Sequence, residues 1–203
     1  MRTFALIAEG ITDVAVIERI VEGIHGDDAI VNPLMPLRDA TDEARVQPET
    51  FSTWELVLEY ASSKEMLTAL AANDFVIIQI DTDQGAHPNF GILLHDAAGA
   101  IRPIDSIVTD CRNLIISKLP AAFPPEWLCR IVFAIPVLST ECWLLPLVDS
   151  KYMHTVKTIN RCGDRLARLN KGVFKKDYRT YYLKSKKYAR KPYLAEAASR
   201  VPC

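Results

Sequence analysis

The sequence lacks any hydrophobic run long enough to cross a membrane. Its longest apolar stretches, 75–80 and 131–138, are much shorter than the roughly 20 residues that a transmembrane helix needs, and they are predicted to be buried strands. Residues 1–10 lack the small-residue cleavage site of a secretory signal. We therefore expect a cytoplasmic protein without membrane contacts.

Cysteine spacing of the metal-binding kind is also absent. The chain has five cysteines, an odd number, with no C-x-x-C pair, which argues against both a zinc ribbon and a disulfide framework. We expect reduced thiols, several of them filling the core. The five are Cys111, Cys129, Cys142, Cys162 and Cys203.

Positive charge is scarce in the first three quarters of the chain. Residues 1–150 contain 9 of the 24 Lys and Arg residues and 22 of the 25 Asp and Glu residues. Residues 151–203 contain the other 15 basic residues and only 3 acidic ones. This segregation predicts an acidic domain at 1–150 and a basic C-terminal extension at 151–203.

Hydrophobic periodicity predicts strands that alternate with helices. Apolar segments predict strands at 3–8, 30–37, 75–80 and 130–138, and helical patterns follow each of them. Thr12 is the expected N-cap of the first helix, and Gly26 is expected to end it. The order favours an α/β fold with a mostly parallel sheet flanked by helices.

More specific expectations concern three of these segments. Pro33 and Pro36 confine the second strand to a sheet edge or make it an irregular stretch. The segment 75–80 is predicted to be a central strand because it is almost continuously apolar. Residues 54–72 are predicted to form a helix with a break near Ser62 and Ser63.

Acidic residues follow the ends of three predicted strands. Glu9 and Asp13 follow the first, Asp81 and Asp83 the third, and Glu141 the last. Ligands bind beyond the carboxyl ends of strands in open α/β sheets, so these carboxylates are expected to converge. A hard cation such as Mg²⁺ or Mn²⁺ would neutralise their mutual repulsion.

The pattern Glu9-Gly10-x-Thr12-Asp13, followed by Asp81-x-Asp83 after an apolar strand, resembles the Toprim domain. This domain occurs in topoisomerases, primases, small ribonucleases and nucleases of the overcoming-lysogenization-defect class. The resemblance implies a Toprim-like, Rossmann-like fold for residues 1–150. It also implies a divalent-metal-dependent nuclease, with DNA favoured over RNA as substrate.

The resemblance implies roles for particular residues. Glu9 would act in acid/base chemistry with Asp13, and Asp81 and Asp83 would bind Mg²⁺ or Mn²⁺, with Glu9 and Glu141 as further ligands. Lys151 or Lys157 would stabilise the transition state. Small standalone relatives often act in antiphage defence with a partner ATPase, which here would be a separate chain. Homo-oligomerisation is left open.

The C-terminal extension combines basic residues with six of the seven tyrosines. Lysine and arginine neutralise phosphates, and tyrosine rings stack on bases, so this composition predicts an ordered, partly helical appendage that binds nucleic acid. The alternatives are a solvated basic helix and a tail that pairs with the protein's own acidic surface. The predicted contact residues are Lys175, Lys176, Arg179, Tyr181, Tyr182, Lys184, Lys186, Lys187 and Arg190.

Two other functions fit parts of the sequence. A non-catalytic subunit with a Toprim fold would hold nucleic acid or a partner through its basic extension, without metal-dependent turnover. A phosphatase of the haloacid dehalogenase type would use Asp81 as nucleophile and Asp83 as acid. The phosphatase is disfavoured because that family places its D-x-D motif after the first strand, whereas here a strand and a helix come earlier.

Overall fold

The computed structural model describes residues 1–36, 53–148, 161–169 and 176–190. The strands are β1 (Arg2–Ile7), β2 (Ala29–Met35), β3 (Phe75–Gln79) and β4 (Ile131–Ala134). The helices are α1 (Ile11–His25), α2 (Thr53–Ser62), α3 (Lys64–Ala72), α4 (Ile104–Lys118), α5 (Glu141–Val148), α6 (Cys162–Leu169) and α7 (Tyr178–Lys184). A 3-10 turn, Ser185–Ala189, follows α7.

The four strands form one parallel sheet in the order β2-β1-β3-β4. The α/β class and the parallel sheet confirm the prediction, and the arrangement is compatible with a Rossmann-like fold. Strand β3 is central, between β1 and β4, and the proline-containing β2 lies at an edge, both as predicted. The carboxyl ends of all four strands therefore point the same way, which brings the loops that follow them to one side of the molecule.

Helices cover both faces of the sheet because side chains alternate along each strand. Phe4 and Leu6 of β1 pack in one cluster with Val14 and Ile17 of α1. The intervening residue Ala5 belongs to a second cluster on the other face, built with α2, α3 and α4. Burial on both faces explains why the predicted strands contain so few polar residues.

Local details differ from the sequence-based expectations at two points. The N-cap of α1 is Gly10, with no side-chain cap bond, so the prediction of Thr12 as cap is wrong. Gly26 ends α1 as predicted, and the helical segment at 54–72 breaks between Ser62 and Lys64. Strand β4 is shorter than predicted because its pairing with β3 ends at Ala134, before Pro136.

The described part of the basic segment packs onto the sheet domain. Leu166 of α6 and Tyr181 of α7 are buried in one cluster with Val16 of α1 and with Leu144 and Leu145 of α5. The basic segment therefore shares a hydrophobic core with α1 and α5, two helices of the acidic part. The predicted boundary at residue 150 lies outside the described residues.

The prediction of reduced thiols is wrong for one pair of cysteines. Cys142 in the first turn of α5 and Cys162 at the start of α6 form a disulfide across 20 residues of sequence. Cys111 is buried and free, as predicted for core filling, and Cys129 is free and exposed. The spacing rules do not detect this pair because it depends on the packing of α5 against α6.

In the described parts of the chain, no helix is long and apolar enough to cross a membrane.

Candidate active site

An open pocket of about 650 Å³ lies at the carboxyl ends of the strands. It is lined by all five predicted acids, which are Glu9, Asp13, Asp81, Asp83 and Glu141. Leu138 and Arg161, which also line it, have φ values of 76° and 57°. Such positive φ values are uncommon outside glycine and cluster at functional sites. Two residues with strained backbone therefore line the same pocket as the five carboxylates.

The turn between β1 and α1 brings two of the acids to the pocket. The backbone carbonyl of Gly10 accepts hydrogen bonds from the amides of Asp13 and Val14, which starts the helix. A Cβ at Gly10 would lie 3.0 Å from Oδ2 of Asp13, so a side chain there would crowd this carboxylate. Asp13 is only 7% exposed. Burial, reinforced by the nearby charge of Glu141, raises the pKa of Asp13 to about 6.

Gln79, the last residue of β3, links Glu9 after β1 to Asp81 after β3 through its side-chain amide. Its Oε1 accepts a hydrogen bond from the amide of Glu9 at 3.0 Å, and its Nε2 donates to Oδ1 of Asp81 at 2.7 Å. The amide of Asp81 in turn donates to Oε1 of Glu9. The hydroxyl group of Thr140 also donates to Oδ1 of Asp81 at 3.2 Å. These bonds hold the adjoining strand ends together.

The environment of Asp81 disfavours its ionised form. Burial raises its pKa well above the usual range, and the negative charges of Asp13, Glu9, Glu141 and Asp83 add to the effect. Burial also raises the pKa of Asp83, although that residue is exposed at the pocket mouth. As it stands, the pocket therefore disfavours full ionisation of its acids.

The loop that carries Asp81 and Asp83 is fixed to the segment before α5. The carbonyl of Leu138 accepts hydrogen bonds from the amides of Thr82 and Asp83, both at 3.0 Å. Gly85 is needed a few residues later, because a Cβ there would lie 2.1 Å from the carbonyl oxygen of Ile92. The loop is therefore held by backbone contacts on both sides of Asp83.

Glu141 begins α5 and is 7% exposed. Its Oε1 accepts a hydrogen bond from the hydroxyl group of Tyr181 at 2.7 Å and lies 3.0 Å from Nζ of Lys176. Burial alone would raise the pKa of Glu141, but the hydrogen bonds from Tyr181 and Ser139 and the charge of Lys176 hold it below its usual value. Glu141 is therefore the acid that the protein itself stabilises in the ionised form.

The predicted nucleic-acid contacts have several different environments. Lys176 lines the acidic pocket, and Arg179 is exposed on α7. The ring of Tyr181 is fully buried and unavailable to stack on a base, so the prediction for this residue is corrected. Tyr182 is half-buried, with the guanidinium group of Arg19 3.7 Å from its ring centroid.

Four other predicted contacts line a second pocket of about 360 Å³ at the far end of α5. The rest of its lining is apolar, from Leu147, Val148 and Leu183. Lys187 donates from Nζ to the carbonyl of Leu147. We call this pocket the basic groove; its cations are Lys184, Lys186, Lys187 and Arg190. The predicted residues Lys151, Lys157 and Lys175 lie outside the described residues.

Sequence reasoning missed two polar residues that organise the site. Gln79 and Thr140 are both fully buried. Gln79 could have been found because it is a polar residue at the end of an otherwise apolar strand. A buried side-chain amide needs hydrogen-bond partners, which predicts polar neighbours at that strand end. Nothing in the sequence distinguished Thr140 from an ordinary loop residue.

The acids share a pocket without forming a ready metal site. Among the residues that the structure describes, no group of three or more His, Cys, Asp or Glu side chains is arranged to hold a metal ion. No protein-family model, curated protein or solved structure matches the chain.

Proposed function

We propose that the protein is a divalent-metal-dependent nuclease and that the acidic pocket is its catalytic site. The observation that carries the proposal is the convergence of five carboxylates, from three strand ends, on one pocket at the carboxyl edge of a parallel sheet. The resemblance of Glu9-Gly10-x-Thr12-Asp13 and Asp81-x-Asp83 to Toprim motifs supports the same function. Antiphage defence with a separate ATPase remains the expected biological setting.

The chemistry of the donors fits Mg²⁺ or Mn²⁺. All five acids offer carboxylate oxygens, the ligands that these hard cations prefer. The raised pKa values of Asp13 and Asp81 express a repulsion that a bound cation would relieve. Asp81, Asp83, Glu9 and Glu141 would hold the metal, after side-chain rotation or withdrawal of Lys176 from Glu141. The metal would supply electrostatic stabilisation for phosphodiester hydrolysis.

The protein's own residues would perform the remaining tasks. Glu9, fixed by the amide of Asp81, is placed to orient or deprotonate a water molecule in the pocket. Asp13, with its pKa raised to about 6, can exchange a proton more readily near physiological pH than an ordinary aspartate. Lys176, already in the pocket, would face the negative charge of a phosphate group. This is the charge-stabilising role that the resemblance implies for Lys151.

Cleavage assays on DNA and RNA with Mg²⁺, Mn²⁺ or EDTA test the proposal. The wild-type protein should cut in metal and not in EDTA, and Asp81→Asn with Asp83→Asn should reduce the rate at least 100-fold. The matched control is Asp105→Asn, which changes an exposed acid of α4 outside the pocket. Cleavage that survives the double substitution would exclude the acidic pocket as the catalytic site.

A non-catalytic binding subunit is the second candidate. The lack of a ready ligand group among the described residues and the ion pair of Lys176 with Glu141 favour it. It would bind nucleic acid in EDTA as tightly as in Mg²⁺, without turnover. The same assays therefore separate the two candidates.

A further inference from the structure

Glu141 belongs to the acidic part of the chain, but two of the groups that contact its carboxylate come from the basic segment. Tyr181 and Lys176 both contact Oε1 of Glu141. Gly163 is so near that a Cβ on it would lie 3.9 Å from Cγ of Glu141. The disulfide joins the next residue, Cys142, to α6. The basic segment is therefore structurally part of the acidic pocket.

We propose that Tyr181 is a positioning residue of this pocket: its buried hydroxyl group holds the Glu141 carboxylate in the orientation that the acidic site requires. The proposal deepens the proposed function and rests on it for the identity of the bound ion. It assigns Tyr181 a role different from base stacking, and it makes the C-terminal helix a component of the active site.

The hydroxyl group of Tyr181 is held in a fixed place. The side chain is 0% exposed and packs among residues of α1, α5 and α6. The N-terminus of α7 is capped by Asp177, whose Oδ1 accepts from the amide of Thr180 at 2.7 Å. Ser185 donates from its hydroxyl group to the carbonyl of Tyr181 at 2.6 Å. A donor anchored in this way is preorganised, because its rotamer is set by packing.

Lys176 cannot substitute for this donor. Its side chain is 72% exposed, so solvent and salt screen its attraction for Glu141, and the long side chain has other conformations available. The Tyr181 hydroxyl group is shielded from water and donates to a carboxylate that is itself buried. Loss of this donor would leave Glu141 with one buried hydrogen bond fewer, which is costly for a charged acceptor.

The first test compares Tyr181→Phe with Tyr188→Phe. Both substitutions remove one hydroxyl group from the same segment, and that of Tyr188 donates to the carbonyl of Trp143, away from Glu141. Calorimetric titration with MnCl₂ should show binding about 10-fold or more weaker for Tyr181→Phe, as is typical when a ligand loses its supporting hydrogen bond. Its kcat should fall with little change in KM for the nucleic acid. Tyr188→Phe should match the wild type.

The second test needs neither metal nor activity. In EDTA, the melting temperatures of Tyr181→Phe, Glu141→Leu and the double variant should be non-additive, because each substitution removes the one hydrogen bond that the two groups share. The pair Tyr188→Phe and Glu141→Leu should be additive. Additive effects for Tyr181 with Glu141 would overturn the proposal. The two proposals can also fail separately. If Tyr181 and Glu141 are coupled in this cycle but the wild-type protein neither binds Mn²⁺ nor cleaves nucleic acid, the positioning of Glu141 is confirmed and the nuclease is contradicted.

Discussion

Single residues of the acidic pocket lie in opposing electrostatic environments. Glu141 receives donors from Tyr181 and Lys176 and is stabilised as an anion. Asp13 is buried near the charge of Glu141, which favours its protonated form. Neighbouring carboxyl groups with pKa values moved in opposite directions are the arrangement that separates acid from base roles in catalytic sites.

The first prediction concerns the pH dependence of stability. The pKa of Asp13 is raised to about 6 in the folded protein, so its contribution to stability is complete below the ordinary value near 3.8 and is lost as the pH rises through 6. In EDTA, the wild type should lose about 2 kcal/mol of stability between pH 4 and pH 7 through this group, and Asp13→Asn should abolish that loss. Urea unfolding at both pH values measures this.

Asp105→Asn is the control for this experiment, because Asp105 is an exposed acid outside the pocket. Its pH dependence should follow that of the wild type. An Asp13→Asn variant whose stability falls over this pH range as much as that of the wild type would contradict the raised pKa of Asp13.

At the scale of elements, the contact of α5 with α6 fixes the rear of the pocket. The disulfide joins the first turn of α5, beside Glu141, to the start of α6, and both cysteines line the pocket. Arg161, whose backbone has a positive φ, precedes Cys162 directly. The crosslink therefore adds a covalent restraint to the packing of α5 against α6 at this part of the site.

The second prediction concerns this crosslink. Closing a loop of about 20 residues reduces the entropy of the unfolded chain and should stabilise the fold by about 3 kcal/mol. Cys142→Ser with Cys162→Ser should lower the free energy of unfolding by that amount, and a dithiol reductant should bring the wild type to the same value. Cys129→Ser, which changes an exposed free thiol, should have no effect. An unfolding free energy of the wild type that a reductant does not change would contradict the disulfide.

The sequence predicted those elements whose position depends on local pattern. The segment 75–80 is apolar except for Gln79, so its central position in the sheet followed from its composition, and the placement of Asp81 and Asp83 followed from their position directly after it. The role of Tyr181 did not follow, because a tyrosine among lysines has the same local pattern whether its ring is exposed or buried. The disulfide likewise depends on how distant helices pack.

At the scale of the whole molecule, opposite charges that are separate in sequence meet in space. Helix α5 has Glu141 of the acidic pocket at one end and Leu147 and Val148 of the basic groove at the other. At 1.5 Å per residue, these ends are roughly 10 Å apart along the helix axis. A polyanion held in the basic groove would therefore lie within a few nucleotides of the acidic pocket.

The third prediction concerns the basic groove. Lys186→Ala with Arg190→Ala should weaken binding of a fluorescent single-stranded oligonucleotide in EDTA and reduce the steepness of log K against log salt by about 1.4, since each lost phosphate contact removes about 0.7 for a single strand. Lys64→Ala, an exposed lysine at the start of α3, is the control. Equal salt slopes for the wild type and the groove variant would show that nucleic acid binds elsewhere.

The most direct measurement of the central claim is calorimetric titration of the metal-free protein with MnCl₂, comparing the wild type with Asp81→Asn/Asp83→Asn. The account predicts saturable binding by the wild type, with release of protons from the acids of raised pKa and therefore a heat that depends on the buffer. The double variant should bind no Mn²⁺. A wild-type protein that binds no Mn²⁺, or a double variant that binds it equally well, would contradict a metal-dependent nuclease at this pocket.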